Sequence, residues 1–329
     1  MANTIRSATQ TGTTTGTIAR EVNNFYDRAL LEKAVPSFVH NRFAQVRDIP
    51  RGSGTNIIKF RRYGLLTATT TALSEGVTPA GSSLNVTDMV ATVAQYGDYI
   101  TLTDVVLMET YDPILTEAAE ILGEQAGDSL DQLCRNVLVA GASAQYASTA
   151  DSVATVGAAM KLDRAEVKEA VRTLKGNNAR PITSMINPST GYNTTPIGRC
   201  YVGIVDPDTT YDLDDATGWI PVEKYPNKSN VMPDEVGSLA GVRFIESTNA
   251  YNTAGTLVTT VYGTLIFGQN AYAQTRISGE TLKNIVKPLG SAGTADPLDQ
   301  RTTSGWKATY VARVLNANFI VCVYHAVSS

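Results

Sequence analysis

The feature of the sequence that most restricts how the chain can fold is one long amphipathic helix. It is predicted from Pro113 to Val139, with Asp112 as its N-cap, proline at the first helical position and Gly141 at its end. About 27 residues rising about 1.5 Å each make a rod of roughly 40 Å, about twice the mean helix length. One apolar face must be covered along the whole rod: Ile114, Leu115, Ala118, Ile121, Leu122, Ala126, Leu130, Leu133, Val137 and Leu138.

Acidic residues occupy a second face of this helix. Residues 112–131 contain six acids and no base, and five of the acids step by three or four positions: Glu117, Glu120, Glu124, Asp128 and Asp131. This spacing predicts one continuous acidic stripe opposite the apolar face. Because like charges one turn apart repel by a few tenths of a kcal/mol per pair, the stripe is either a hydrated surface or the binding site of a basic partner.

A stretch of the opposite charge comes earlier in the chain. Residues 41–62 contain one acid, Asp48, and six bases, which are Arg42, Arg47, Arg51, Lys59, Arg61 and Arg62. One hypothesis is that Arg61 and Arg62, with Lys59 beside them, lie along the acidic stripe of a neighbouring copy of the chain. The alternative is that both charged stretches are ordinary hydrated surfaces.

A long hairpin is predicted where the basic stretch ends. Residues 55–63 are rich in β-branched and aromatic side chains, and residues 88–106 form a second extended segment. The connection 64–87 consists mostly of Thr, Ala, Ser, Gly and Leu, and a loop of about 24 residues is unusual inside a compact domain. We therefore expect a projecting loop that contacts another copy.

The remaining segments predict an α+β fold. Residues 1–18 have almost no large apolar side chain and predict a flexible arm, and residues 19–34 have helical spacing. After the long helix, Asp163 and Glu166 predict a capping box for a helix from Arg164 to Lys175. Strands are then predicted at 183–186, 199–205, 241–246, 257–267, 307–315 and 319–327, and the last of them are expected to return to the long helix.

The composition leaves few residues for catalysis or metal binding. The chain has two histidines, His40 and His325, and three cysteines without CxxC spacing, and it lacks the common nucleotide-binding and hydrolase motifs. Five aspartates between 206 and 215 are dense enough for a calcium loop, but Tyr211 and Thr217 stand where an EF-hand needs glycine and glutamate. We therefore predict a solvated polar loop, structural histidines, no cofactor, no metal and no enzyme activity. The net charge of −4 and the lack of a long apolar run favour neither nucleic-acid recognition nor membrane insertion.

Short sequence words in a particular order carry a family resemblance. They are FYDRALL at 25–31, IIKFRRY at 57–63, QYG at 95–97, YVGIVDPD at 201–208, FGQNAY at 267–272 and GWK at 305–307. With these words and this order of elements, nearly the whole chain resembles the major capsid proteins of tailed bacteriophages with the Hong Kong 97-type fold. The words are similar in particular to those of the N4-like podovirus coat proteins.

The resemblance implies an order of domains. It places an N-terminal arm at 1–50 and an extended hairpin, the E-loop, at 51–105. A peripheral domain with a long spine helix would comprise 106–150 and 300–329, and an axial domain would comprise 151–299. The resemblance implies no catalytic residue.

The resemblance also implies a function. The chain would assemble with itself, as hexamers and pentamers, into an icosahedral shell that encloses double-stranded DNA, with scaffolding, portal and decoration proteins as further partners. It would be located in the virion after assembly in the cytoplasm of the host bacterium. Two alternatives stay open: the shell protein of a bacterial nanocompartment with the same fold, and a cation-dependent hydrolase or carbohydrate-binding module that uses the Asp206–Asp215 loop.

Overall fold

The structure, a computed structural model, describes residues 39–64, 66–109, 114–186, 194–225, 231–278, 282–291 and 296–328. The predicted arm at 1–18 and the predicted helix at 19–34 lie outside these ranges. In chain order the elements are β1 (Gln45–Ile49), β2 (Ile57–Tyr63), β3 (Val86–Thr92), β4 (Ala94–Thr103), α1 (Asp104–Glu109), α2 (Ile114–Gly141), β5 (Ser143–Tyr146), α3 (Arg164–Gly176), β6 (Ile182–Ile186), β7 (Thr194–Val205), α4 (Pro207–Asp214), β8 (Ile220–Pro221), β9 (Glu235–Leu239), β10 (Val242–Glu246), β11 (Tyr251–Ala254), β12 (Thr260–Phe267), β13 (Tyr272–Ile277), β14 (Lys283–Lys287), β15 (Arg301–Val314) and β16 (Ile320–His325). None of the described helices combines the length and the apolarity that crossing a lipid bilayer requires.

Helix α2 is the long helix that the sequence predicts, and it extends over 28 residues. Side chains spaced four apart are buried along it: Leu122, Ala126, Leu130, Cys134 and Leu138. Residues at i and i+4 lie above one another on a helix, so this row forms one narrow seam that packs against strands of both large sheets. Ile121, which was predicted on the same face, is 48% exposed because one position rotates a side chain by about 100° around the axis.

The larger sheet lies between α2 and α3. Within the described residues it has nine strands, in the order β5-β16-β12-β7-β10-β9-β8, with β6 beside β7 and β11 beside β12. Alternate residues of its central strands enter two different cores. On β16, Ile320 and Cys322 belong to the core that contains α2, whereas Val321 and Val323 pack with α3. A strand covered on both faces needs no polar side, which explains the continuous apolar runs of these strands.

Strand β15 is the central strand of the second sheet. It pairs antiparallel with β4 along one side and with β14 and then β13 along the other, while β1 joins β13 in parallel. Gln125 of α2 holds the helix to this sheet: its side-chain amide donates to the Asp98 carboxylate at 2.8 Å and accepts from the Trp306 indole at 3.2 Å. The predicted return of a C-terminal strand to the long helix is thus confirmed.

The predicted hairpin is also confirmed. Strands β2 and β3 pair antiparallel along their full length, and the described residues of the connection, 66–85, are exposed throughout. The extended segment predicted at 88–106 is divided at Val93, whose backbone N–H donates to the Asn56 carbonyl at the base of the hairpin. Beyond that point β4 leaves the hairpin and joins β15, so the two halves of this segment serve different sheets.

Two local predictions need correction. The predicted polar loop after β7 is a helix, α4, because Asp206 is its N-cap and Pro207 occupies its first position. The capping box of α3 is only half formed: Asp163 accepts from the first-turn N–H groups as predicted, but the Glu166 carboxylate accepts from the backbone N–H of Ser148 at 2.9 Å. A tertiary partner has therefore replaced the local one.

The burial pattern of α2 predicts which of its apolar residues stabilise the subunit. Leu138→Ala is expected to lower the free energy of unfolding by about 2–5 kcal/mol, because it removes fully buried methyl groups and leaves a cavity. Ile121→Ala on the same helix is the matched control and should cost less than about 1 kcal/mol. Urea unfolding of the monomeric chain, followed by circular dichroism, measures both values. Equal losses for the two variants would contradict the conclusion that the row from Leu122 to Leu138 is the buried face of α2.

Candidate inter-subunit surfaces

The acidic stripe predicted on α2 is not continuous, because Asp131 lies in the core. Its carboxylate is 1% exposed and accepts from the backbone N–H of His40 at 2.8 Å and from His40 Nδ1 at 2.7 Å. Asp131 is adjacent in sequence to the buried Leu130, at the place where the segment that leads into β1 crosses the helix. The prediction that Asp131 belongs to a surface stripe is wrong, and its role is to hold this segment against α2.

Further polar groups close around the same crossing. The Tyr272 hydroxyl donates to the His40 carbonyl at 2.5 Å, and the Tyr310 hydroxyl donates to the Asn41 side-chain carbonyl. The Cys134 thiol lies 3.6 Å from the His40 carbonyl oxygen, and burial raises its pKa to about 12. Burial also raises the pKa of the Tyr272 hydroxyl well above its usual value. These groups therefore stay uncharged near neutral pH and act as a structural network.

The other acids of the predicted stripe differ in exposure. Asp128 is half-buried and accepts from the side-chain amides of Asn249 at 2.5 Å and Gln132 at 2.9 Å. Glu117 is exposed and Glu124 is half-buried, while the side chain of Glu120 lies outside the described part of the chain. Within the described residues, the acidic surface available to a partner is therefore the N-terminal half of α2, not the whole helix.

The basic residues of β2 divide between the two faces of the hairpin. Successive side chains of a strand point to opposite faces, so Lys59 and Arg61 share one face and Arg62 lies on the other. Arg61 Nε contacts the Asp88 carboxylate of β3 at 3.0 Å, and this hydrogen bond raises the pKa of the guanidinium. The two arginines therefore face opposite sides of the hairpin, and their contact with an acidic surface of another copy stays a prediction.

Arg62 instead borders a groove at the end of α2. The groove has a volume of about 530 Å³, and Met89 of β3 and Arg313 of β15 line it with the helix end. The two guanidinium groups give this groove a positive rim. Elsewhere in the basic stretch, Arg42 contacts Asp234 at 3.0 Å, so part of the positive charge is paired within the chain. Asp48, the one acid of the stretch, contacts Arg276 of β13 at 3.1 Å.

A second groove, which local sequence patterns do not reveal, lies on the second sheet, which has five strands within the described residues. It has a volume of about 430 Å³ and lies over β4, β15 and β14. Gly97 and Gly305 form its floor, and Tyr99 and Ile285, 69% and 43% exposed, stand at its sides. In the sequence these glycines stand far apart, in the words QYG and GWK, and only the pairing of β4 with β15 brings them together as a floor.

Three of the aspartates between 206 and 215 make contacts within the chain. Asp206 caps α4, Asp208 accepts from the Tyr262 hydroxyl at 2.7 Å, and Asp212 accepts from Lys161 Nζ at 3.3 Å and from Ser328. The hydrogen bond to Asp208 raises the pKa of Tyr262 to about 12. Across the described ranges, no three His, Cys, Asp or Glu side chains are grouped as a metal ion would require.

His325 is fully buried on β16, as expected of a structural histidine. Its Nδ1 lies 3.1 Å from the Ala326 carbonyl, which can only accept, so Nδ1 carries the proton and Nε2 accepts from the Thr264 hydroxyl at 2.9 Å. Burial lowers the pKa of His325 to about 4. The ring is therefore neutral at pH 7.

Solved shell proteins share this architecture. The capsid of Ralstonia phage GP4 aligns with a TM-score of 0.70 at 12% sequence identity, over 98% of this chain and 99% of that chain. The capsid of the cyanophage Pam1 aligns with a TM-score of 0.63 at 15% identity, over 97% and 99%. An encapsulin complex from Synechococcus elongatus aligns with a TM-score of 0.56 at 6% identity, over 94% and 93%. No protein-family model and no curated protein matches the sequence.

The chain therefore has the fold that these phage capsid and encapsulin structures share. The predicted α+β class and Hong Kong 97-type fold are confirmed. The finer resemblance to N4-like coat proteins stays a prediction. The contact roles of Lys59, Arg61, Arg62, Glu117, Glu120, Glu124 and Asp128 also stay predictions.

The buried contact between His40 and Asp131 predicts a large loss of stability when the acceptor is removed. Asp131→Ala leaves two buried donors of His40 without a partner, and each unsatisfied donor is expected to cost about 1–3 kcal/mol. Glu117→Ala on the same helix is the control and should change stability by less than about 0.5 kcal/mol. Thermal and urea unfolding of the two variants would contradict a buried role if their losses were similar.

His325 predicts a pH dependence of stability. Its pKa is about 4 in the folded chain, below the usual 6.5, so as the pH falls below 6.5 the unfolded chain binds a proton that the folded chain excludes. The contribution is complete above pH 6.5 and is lost as the pH falls to 4, and it amounts to about 3 kcal/mol at most. Urea unfolding at pH 7 and pH 4.5 should show a smaller acid loss for His325→Gln than for the wild type. If the variant and the wild type lost equal stability between pH 7 and pH 4.5, the result would contradict the role of His325 in the acid loss.

Proposed function

We propose that the chain is a major capsid protein, which assembles with itself into an icosahedral shell around a double-stranded DNA genome of a tailed phage. The observation that carries the proposal is the alignment with the capsid of Ralstonia phage GP4, which extends over almost the full length of both chains. An alignment of that extent includes the hairpin and the long helix as well as the central sheet. The shared parts are therefore those that a shell subunit needs for contact with its neighbours.

The exposure of the hairpin supports assembly. Its described connection carries four large apolar side chains, Leu66, Leu73, Val77 and Leu84, which are 54–75% exposed. Two-stranded hairpins are marginally stable in water without a packed face. A neighbouring copy that covers this segment would supply that packing, as expected of a subunit whose protruding parts overlap adjacent subunits.

The domain order of the fold is proposed to follow the capsid pattern. Residues 1–50 would form the N-terminal arm and residues 51–105 the E-loop. The peripheral domain would comprise 106–150 and 300–329 around α2, and the axial domain would comprise 151–299. Hexamers and pentamers would form the shell, scaffolding, portal and decoration proteins would be its further partners, and assembly would take place in the host cytoplasm.

Charge is proposed to contribute to one contact between subunits. Lys59 and Arg61 project from one face of the hairpin, and Glu117 and Glu124 lie on the N-terminal half of α2. These two surfaces of opposite sign would meet between neighbouring copies, with Glu120 adjoining them along the sequence and Asp128 at the edge. Arg62 lies on the opposite face of the strand, so its predicted contact would involve the other side of the hairpin.

The encapsulin alignment makes a nanocompartment shell the second candidate. Its TM-score of 0.56 is lower than the 0.70 of the phage GP4 capsid, so the phage shell is preferred. The two functions differ in cargo. Particles recovered from phage lysates should contain DNA that is protected from nuclease, whereas a nanocompartment would contain an enzyme and no protected genome.

Electron microscopy of the purified protein tests the shell function and its charged contact together. The wild type is expected to form hollow particles or capsomer rings. Glu117→Lys combined with Glu124→Lys should reduce assembly at low salt, because it places like charges against Lys59 and Arg61, while circular dichroism stays unchanged. Glu223→Lys, an exposed reversal elsewhere, is the control.

The outcomes separate the two proposals. A wild type that stays a compact monomer at high concentration would refute the shell function. A double variant that assembles as readily as Glu223→Lys would refute the charged contact and leave the shell function standing.

A further inference from the structure

We propose that one face of α3 binds the phosphate backbone of double-stranded DNA without reading its sequence. Four bases line this face, and we call them the basic stripe: Arg164, Lys168, Arg172 and Lys175. The proposal rests on the shell function proposed above, which encloses such DNA. It adds the surface of the subunit that would face the genome.

The spacing of the four bases places them in one row. They are separated by four, four and three positions, and at about 100° per residue they fall within about 80° of one another around the helix axis. The row from Arg164 to Lys175 extends over about 16 Å, because each residue adds about 1.5 Å. The positive charge of α3 is therefore concentrated along one line of its surface.

Packing of α3 against the larger sheet leaves this row in solvent. The helix buries four apolar side chains, which are Val167, Ala170, Val171 and Leu174. These side chains share a core with alternate residues of β16. All four members of the basic stripe are exposed, so the packing that fixes the helix also fixes the direction in which its charge points.

Little of the charge of the stripe is paired within the chain. Arg172 contacts Glu169 at 3.4 Å, but the two side chains are 80% and 53% exposed, and ion pairs in such a position are weak. The other three bases make no ion pair with any described residue. Glu166, the second acid of the helix, accepts from the backbone N–H of Ser148. The stripe is therefore available to an anion from outside the subunit.

The two helices give the faces of the larger sheet opposite charge. On one face lies α2, where residues 112–131 contain six acids and no base and Glu117 is exposed. On the other face lies α3, where residues 164–180 contain five bases and two acids. The net charge of −4 therefore conceals a division of charge between two sides. The side of α3 is the one that attracts a polyanion.

The chemistry of this face favours duplex DNA over other anionic partners. The exposed part of α3 carries no large apolar or aromatic side chain, whereas protein interfaces concentrate such residues and are depleted of lysine. Surfaces that bind single strands stack bases on aromatic rings, and α3 offers none. Double-stranded DNA carries about one negative charge per 1.7 Å of its axis, so a row of about 16 Å meets several phosphates.

Fluorescence anisotropy of a labelled DNA duplex of random sequence, titrated with the unassembled full chain, tests the proposal. If the wild type contacts about four phosphates, raising the salt from about 50 to about 200 mM should weaken binding about 100-fold, since each contact adds about −0.9 to the slope of log affinity against log salt. The triple variant Arg164→Gln, Lys168→Gln and Lys175→Gln should bind more weakly at the lower salt. It should then lose only about fourfold over the same range.

A matched control loses the same charge elsewhere on the subunit. It combines Arg47→Gln, Lys224→Gln and Lys307→Gln, which are exposed and lie outside α3, and it should keep the salt dependence of the wild type. Equal effects of the two triple variants would overturn the proposal, and so would a wild type that does not bind the duplex at the lower salt. Binding of poly-L-glutamate in place of the duplex would also overturn it, in favour of an acidic protein partner.

Formaldehyde cross-linking of DNA-containing wild-type particles separates this proposal from the shell function. Formaldehyde joins lysine amines to DNA that lies against them, so the DNA-linked peptides recovered after digestion are expected to contain Lys168 or Lys175. DNA-linked peptides that contain only other lysines would refute the contact and leave the shell function standing. If no particles form, the shell function fails, and the anisotropy of the unassembled chain decides by itself whether α3 binds DNA.

Discussion

Burial of one face of α2 between two sheets is the interaction on which the rest of the subunit depends. The seam from Leu122 to Leu138 packs against both the nine-stranded and the five-stranded sheet. A helix that serves two sheets at once must be long and apolar along a single narrow face, and its remaining surface is left for polar contacts. Gln125 uses that surface to hold β4 and β15, and Asp131 uses it to hold the segment that leads into β1.

The same arrangement explains why acidic residues of one helix have different roles. Asp131 and Asp128 lie on the part of α2 that other segments cross, so their carboxylates accept hydrogen bonds from His40 and Asn249. Glu117 lies on the N-terminal half of the helix and stays exposed. Position along the helix, more than the chemistry of the side chain, therefore separates a structural acid from one that is available to a partner.

The parts that project from this framework are poorly satisfied in one subunit. The hairpin exposes the apolar side chains Leu73 and Val77 in the connection between its strands, and the second sheet exposes Tyr99 and Ile285. In the proposed shell, neighbouring copies that cover these surfaces would supply the free energy that one copy cannot gain from them. Modest individual contacts would then suffice for a stable particle, because every copy would repeat them with its neighbours.

Sequence periodicity was sufficient for the long helix, the hairpin and the buried strands, because each of these follows from spacing within a short stretch of chain. It was also sufficient to predict an exposed connection between the hairpin strands, since the described residues 66–85 are exposed throughout. It failed where contacts between distant segments decide the outcome: Asp131 has the spacing of a surface acid and is buried by His40, 91 positions away. Arg61 and Arg62 are neighbours in sequence, and only the pairing of β2 with β3 places Asp88 beside one of them and a groove beside the other. The groove lined by Gly97 and Gly305 likewise arises from strand register. Local residue preferences do not encode register, since it depends on which distant strands come to lie side by side.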